Sequence, residues 1–314
     1  MVTAEEDAHA SAVLSKAKAE NFPVAPRFLP RAWRDDLMAV YGFARLVDDI
    51  GDGDLGASGP AHASSLGLSP DQADDPLAML DAFEADVHRV FENISWGGSP
   101  SHGPSDDRSG PGHPLLRALV PTVRRRGLTP EPFLGLIEAN RQDQKVRRYA
   151  TYGELLAYCE LSANPVGRLV LAITGTMTPE RVRRSDAVCT GLQIIEHLQD
   201  VAEDLNRGRI YLPAEDMARF RVSEADLAAP TANASVRALI AYETERALGL
   251  LDEGTPLVRS VHGRLRLLLA GFTGGGRAAA SALRAARYDV LAGAPRAGTA
   301  SVLRESWASL RGEG

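Results

Sequence analysis

Apolar residues recur every three to four positions along most of the chain, with arginine, glutamate and small polar residues on the intervening faces. Period-two runs of β-branched residues are scarce. A spacing near 3.6 places the apolar positions on one face of a helix, so the pattern predicts an all-α protein. The predicted helices cover residues 4–19, 33–50, 76–93, 114–125, 130–145, 152–174, 179–204, 222–228, 234–253, 256–270, 275–291 and 301–310. Several open with proline in the first turn after a small polar residue, as at Thr129-Pro130 and Thr178-Pro179, where the missing N–H costs nothing. Two stretches, 51–75 and 97–112, interrupt the rhythm. They are rich in Gly, Ser, Pro, His and Asp, and are expected to be mobile surface loops for want of apolar surface to bury. Helical periodicity resumes on both sides, which favours one domain over two. No repeat of domain-building length is evident.

Composition narrows the functions open to such a bundle. The 314 residues are 44% hydrophobic with a net charge of −6, and without a dense basic block nucleic acid is excluded as the expected partner. Cys159 and Cys189 lie in apolar helical runs at no metal-like spacing, which reads as core thiols of a reducing, cytoplasmic compartment. The acidic N-terminal stretch lacks the apolar core of a signal peptide. The most apolar run, 166–177, is short and interrupted by Arg168, too little to span a bilayer. Peripheral contact with the inner face of a membrane stays open.

Chemistry enters with two aspartate clusters. Asp48, Asp49 and Asp52 close one predicted helix, and Asp200 and Asp204, with Glu203 between them, close the longest. Residues four apart share a helix face, so each cluster is a ridge of like charge that costs an isolated helix roughly 0.2–0.5 kcal/mol per pair. A hard divalent cation shared with substrate phosphates would offset that repulsion. The plain alternative for any such pair is a solvated face, and Asp71 and Asp75 have the same spacing in a loop-like stretch. Neighbouring residues set the two ridges apart. Tyr41 and Arg45 share the face of Asp48 and Asp52, where Arg45 is either a salt-bridge partner or a diphosphate clamp. Gln193, Glu196 or His197, Asp200 and Asp204 form one polar stripe, followed at once by Arg207, Arg209 and Tyr211. Guanidinium groups beside a metal-binding ridge suit a diphosphate.

Tyr41–Asp52 (YGFARLVDDIGD) joined to Gln193–Pro213 (QIIEHLQDVAEDLNRGRIYLP) resembles the squalene/phytoene synthase family of prenyl-diphosphate enzymes. A third segment agrees: Arg148-Tyr149, Thr151, Glu154-Leu155, Tyr158-Cys159, then Ser162 to Gly167. The similarity runs from Asn21-Phe22-Pro23 to Tyr288-Asp289-Val290. It implies an isoprenoid-synthase helical bundle around a central cavity. Two or three Mg²⁺ ions would be held by Asp48, Asp52, Asp200 and Asp204, with Asp49 and Glu196 in support. Arg45, Arg207 and Arg209 would bind diphosphate, Tyr41 and Tyr211 would line the polar end, and Gln193 shares their stripe. Apolar residues of 155–171, with Phe133 and Leu136, would line a slot for isoprenoid tails.

Two departures sharpen the expectation. Glu196 stands where many members have Asn, and Gln199 where many have Arg. A cation fewer at residue 199 either weakens diphosphate binding at that corner or suits one diphosphate rather than two. The segments SANPVGRLVL and NFPVAPRFLP resemble the bacterial hopanoid-pathway branch, and the chain looks most like the type that converts presqualene diphosphate to hydroxysqualene, with water quenching the cation. His197 is either a polar neighbour that positions water or a histidine facing another helix. The glycine-rich run 271–276 lacks the spacing and preceding strand of a dinucleotide fingerprint and reads as a tight helix–helix turn, so no NAD(P)H is expected. Beside this lyase stand a condensing synthase, making presqualene diphosphate or phytoene, and a catalytically silent helical partner associated with other squalene-pathway enzymes.

Overall fold

The computed structural model describes residues 13–15, 24–92 and 110–312. They are helical, and the only β feature among them is a single parallel bridge between Arg148 and Ile210. The chain resolves into two compact units, Met1–Lys145 with Ala172–Gly175, and Val146–Leu171 with Thr176–Gly314.

In the first unit, helix α1 (Arg31–Gly51) is followed by α2 (Gly59–Ser65), α3 (Pro76–Glu92), α4 (Pro114–Arg126) and α5 (Glu131–Asp143). Phe43, Leu46, Val47 and Ile50 recur at helical spacing on α1 and are all buried. Phe43 stacks on Phe83 at 5.4 Å and meets Phe133 edge-on at 4.9 Å, so α1, α3 and α5 share an aromatic core. Phe133, expected to line a substrate slot, is fully buried in this cluster. The cause is its place on the inner face of α5, a turn before Leu136 and Ile137.

The reading of 51–75 as a mobile loop is corrected by the structure. Besides α2, the stretch holds two 3-10 turns, Gly56–Ser58 and Pro70–Asp74. Its polar residues are spent on internal pairing, which composition does not show. His62 is buried and its Nδ1 lies 2.9 Å from Nε2 of His113, the N-cap of α4. The N–H groups of Gly112 and His113 donate to buried Asp86 at 2.7 and 2.8 Å. Asp75 accepts from the N–H groups of Leu77 and Ala78, capping α3; the second half of the Asp71/Asp75 pair is thus a helix cap. The other expected loop, 97–112, lies outside the described residues up to residue 109, as does most of the predicted helix 4–19.

The second unit contains α6 (Tyr152–Ser162), α7 (Asn164–Ile173, to Leu171), α8 (Pro179–Gln199), α9 (Val201–Asn206), α10 (Ala214–Phe220), α11 (Glu224–Leu227), α12 (Ala234–Gly254), α13 (Pro256–Ser260), α14 (Gly263–Ala285) and α15 (Thr299–Arg311). The expected helix 152–174 breaks at Ala163, and 179–204 breaks at Asp200. The glycine-rich run is not a turn: α14 continues straight through it. A Cβ on Gly274 would sit 2.3 Å from the Ser306 nitrogen, and one on Gly276 would sit 2.6 Å from Leu192 Cδ2. The glycines are needed because α14 packs closely against both α15 and α8, and their own N–H groups serve the helix. Among the described residues, no helix is long and apolar enough to cross a membrane.

Candidate active site

Helix α1 delivers the first aspartates to its C-terminal end, where no basic residue lies in the last turn. The negative end of the helix dipole makes this an unfavourable place for carboxylates, by roughly 0.3–1 kcal/mol each. Their environments differ. Asp49 is 3% exposed and pairs with Arg45, Nη2 to Oδ1 at 2.9 Å. Of the two roles open to Arg45, the salt bridge is the one seen, and Asp49 faces inward to hold it. Asp48 and Asp52 are exposed, and Tyr41 is half-buried on the same stripe. Asp48 is reached by solvent, yet enclosed enough that burial pushes its carboxyl up to about 7, against Asn140 and Arg45 and assisted by Asp52 and Asp49.

Two residues from α5 and its C-cap position this end of α1, and the sequence reading named neither. Asn140 donates from Nδ2 to Asp48 Oδ1 at 3.1 Å and to the Leu136 carbonyl. Gln144 donates to the Gly51 carbonyl at 2.8 Å. A Cβ on Gly51 would lie 2.1 Å from Asn140 Oδ1, so only glycine leaves room for the amide that orients Asp48. Nothing in the spacing of Asn140 distinguishes it from a polar face residue.

In the second unit, α8 ends at Gln199, and Asp200 occupies the break before α9. The break keeps a helical hydrogen bond, Asp204 N–H to Asp200 O at 2.8 Å, so the two carboxylates remain one turn apart. Burial raises the Asp200 carboxyl above its ordinary range, joined by repulsion from Glu203 and opposed by Arg296 and Arg207. Asp204 is pushed up to about 7 by burial and by Asp200, against Arg209 and Arg207. Glu196 is exposed on α8.

Arg296 is a cation that the sequence reading missed. Gln199, which replaces an expected arginine, donates its amide to the Pro295 carbonyl. That contact ties down the loop after α14 and brings the next residue within electrostatic reach of Asp200.

The segment after α9 is fixed by the stretch before α6. Ile210 N–H donates to the Arg147 carbonyl at 3.0 Å and Ala214 N–H to that of Tyr149 at 2.9 Å. Arg148 bonds Glu224 and the Gly208 carbonyl, and Gly208 takes φ +77, a left-handed turn suited to glycine. Arg207 and Arg209 therefore stand at either side of a braced turn. Thr151 caps α6 and Glu154 reaches back to the Ala150 N–H; much of the Arg148-to-Gly167 motif is scaffold rather than chemistry.

Tyr211 stacks on His197, ring centroids 3.8 Å apart and nearly parallel, with Tyr158 and Tyr149 within 6 Å of Tyr211. Gln193 Nε2 is 3.2 Å from His197 Nε2. The amide nitrogen can only donate, so Nε2 accepts and Nδ1 carries the proton, facing Asp204 Oδ2 at 3.9 Å. Burial lowers the imidazole to about 3, which keeps it neutral. A cavity of about 10 Å³, room for one water, is lined by His197, Asp204, Arg209 and Tyr211.

Each acidic ridge, taken by itself, offers the carboxylate oxygens that a hard divalent cation prefers. Among the described residues no three His, Cys, Asp or Glu side chains converge on one point, so phosphate and water would complete the coordination, as is usual for Mg²⁺.

The chain matches the squalene/phytoene synthase family model over residues 15–304. It is 32% identical over 243 residues to the hydroxysqualene synthase of Sinorhizobium fredii, covering 77% of this chain and 71% of that protein. It is 29% identical to the 15-cis-phytoene synthase of Synechococcus elongatus, covering 77% and 72%. Among solved structures, squalene synthase HpnC from Alicyclobacillus acidocaldarius superposes with a TM-score of 0.72 at 38% identity, over 91% of this chain and 97% of that one. A dehydrosqualene synthase superposes at 0.75 with 22% identity, which shows the shared fold. With acidic ridges, flanking arginines and an all-helical fold already in place, the match over nearly the whole length settles the relationship: the chain belongs to the squalene/phytoene synthase family, whose members are isoprenoid synthases acting on prenyl diphosphates.

Proposed function

We propose that the chain is a Mg²⁺-dependent lyase that converts presqualene diphosphate to hydroxysqualene without NAD(P)H. The observation that carries this reading is the Asp200–Asp204 pair. Burial raises both carboxyls, joined by Glu203 at Asp200 and by Asp200 and Glu203 at Asp204, although Arg207, Arg209 and Arg296 are near, so the pair calls for further positive charge. When bound, Mg²⁺ would neutralise the charge that grows on the leaving diphosphate. Asp48, Asp52, Asp200 and Asp204 would hold the metal, and the arginines would orient phosphate oxygens. The aromatic faces of Tyr149, Tyr158 and Tyr211 would border the ionised end, and the one-water cavity lined by His197 and Asp204 offers the quenching water, whose released proton would pass to the departed diphosphate. Resemblance to hydroxysqualene synthases and the loss of a cation at Gln199 favour presqualene diphosphate as substrate.

A second reading, condensation of two farnesyl or geranylgeranyl diphosphates, draws support from Arg296, which returns a cation to the corner that Gln199 vacates, and from the phytoene synthase relatives. Product analysis by mass spectrometry separates them. With Mg²⁺ and no NADPH, hydroxysqualene from presqualene diphosphate is expected. Presqualene diphosphate or phytoene formed from the simpler diphosphates would establish the transferase. A folded protein inert to all of them would be the silent partner.

A further inference from the structure

Helix α15 is built inside out. Its inward positions are Ser306, set against Gly274 of α14, and Ser309, which is fully buried. Val302 and Leu310 are half-buried, but two large apolar side chains face water: Leu303 is 66% exposed and Trp307 is 60% exposed. They are four residues apart and so share one stripe, which Arg304 and Arg311 extend, both exposed. At the neighbouring start of α14, Leu267 is exposed too, at 47%. Arg266 donates to the Leu310 carbonyl, and the Arg259 guanidinium lies against Gly312, so further cations gather at the same end as Trp307. A hydrophobic driving force acting within the monomer alone would turn Leu303 and Trp307 inward and the serines outward.

The local charge identifies what the stripe meets. Residues 259–267 and 299–312, which make up this end of α14 and α15, carry Arg259, Arg264, Arg266, Arg304 and Arg311 against a single carboxylate, Glu305, in a chain whose total is −6. A basic, tryptophan-bearing amphipathic face matches an anionic bilayer surface, where indole sits at headgroup depth, leucine reaches the acyl boundary and arginines meet phosphates. A protein partner needs no such one-sided charge.

We propose that the α15 face, centred on Leu303 and Trp307 and rimmed by Arg304, Arg311 and Arg264, docks this protein on anionic lipid bilayers. The proposal is independent of which diphosphate the enzyme takes.

The test uses the full chain with extruded vesicles of phosphatidylcholine, either alone or with about 30% phosphatidylglycerol, scored by co-sedimentation. Wild type is expected to sediment with anionic vesicles, to release in high salt, and to ignore the neutral ones. The double variant Leu303→Ser/Trp307→Ser should bind at least tenfold more weakly, as should Arg304→Gln/Arg311→Gln. Both should keep the wild-type thermal midpoint, since neither alters the seam with α14. Turnover of detergent-dispersed substrate should be unchanged as well, so a wrong substrate assignment leaves this result untouched. No sedimentation of wild type, or equal binding by the serine variant, overturns the proposal. So does a concentration-dependent dimer that Trp307→Ser disperses, which would make the face an interface between two copies.

Discussion

At the scale of single residues, neighbouring carboxylates of one motif have different work. Asp49 is turned inward onto Arg45, while Asp48 one position earlier is open and steered by Asn140. A 100° step along a helix separates a carboxylate turned onto its own arginine from one left open. Gln199 and Arg296 make a similar point across 97 residues of sequence. The amide that stands in for an arginine holds the loop that supplies another arginine. Arg296→Ala is expected to raise KM for the diphosphate substrate about tenfold with a smaller change in kcat. Gln199→Arg in that background should recover part of the loss, read from steady-state kinetics; an Arg296→Ala enzyme with wild-type KM would remove this residue from the site. The aspartate ridges were legible because charge repeated at helical spacing is a local property. Asn140 and Arg296 were not, because their value lies entirely in what the fold sets beside them.

At the scale of elements, the stretch 51–75 shows where composition misleads. Its polar residues order it by pairing with one another and with α4, the latter through His62 and His113. Burial, with the charges of His62 and Arg117, lowers the His113 imidazole to about 3. Its ordinary value of about 6.5 returns on unfolding, so the unfolded chain binds the extra proton between those limits. Stability should therefore fall as pH drops from 6.5 toward 3, by up to ~1.4 kcal/mol per pH unit from this group. His113→Asn, which keeps an N-cap acceptor, should flatten that part of the curve in urea titrations at successive pH values. The glycine run of α14 offers a matched pair. Gly274→Ala would thrust a methyl at the Ser306 backbone and should cost about 1–3 kcal/mol. Gly271→Ala meets nothing within 4 Å and should be neutral or stabilising by up to about 1 kcal/mol. The glycines were visible in sequence, yet a turn and a close helix contact use the same residue, and only the partner helix tells them apart.

At the scale of the whole molecule, helix after helix follows the apolar period closely, because burial of one face is what forms it. Within the expected helices, the errors fall where one breaks or runs on, at Ala163, Asp200, Val261 and Gly271–Gly276, where packing rather than propensity decides. Function lies where the fold tolerates a cost. Asp48→Asn and Asp200→Asn are each expected to abolish turnover while stability in the absence of Mg²⁺ stays level or rises by about 1 kcal/mol, since each removes a charge that burial opposes. Adding Mg²⁺ with inorganic diphosphate should raise the thermal midpoint of wild type and leave both variants unmoved. A large loss of midpoint in the variants would mark the carboxylates as structural instead.

The seam between α14 and α15 carries one more consequence. Close backbone contact through glycine and serine hides less apolar surface than a leucine seam would, so the last helix is held less firmly than the core helices. Amide hydrogens of residues 301–311 should exchange with deuterium together, well before those of α8 and α12, as one cooperative flap. Interfacial lipid would slow that exchange, so the rim of this protein should become rigid where it is most oily, while its interior remains indifferent.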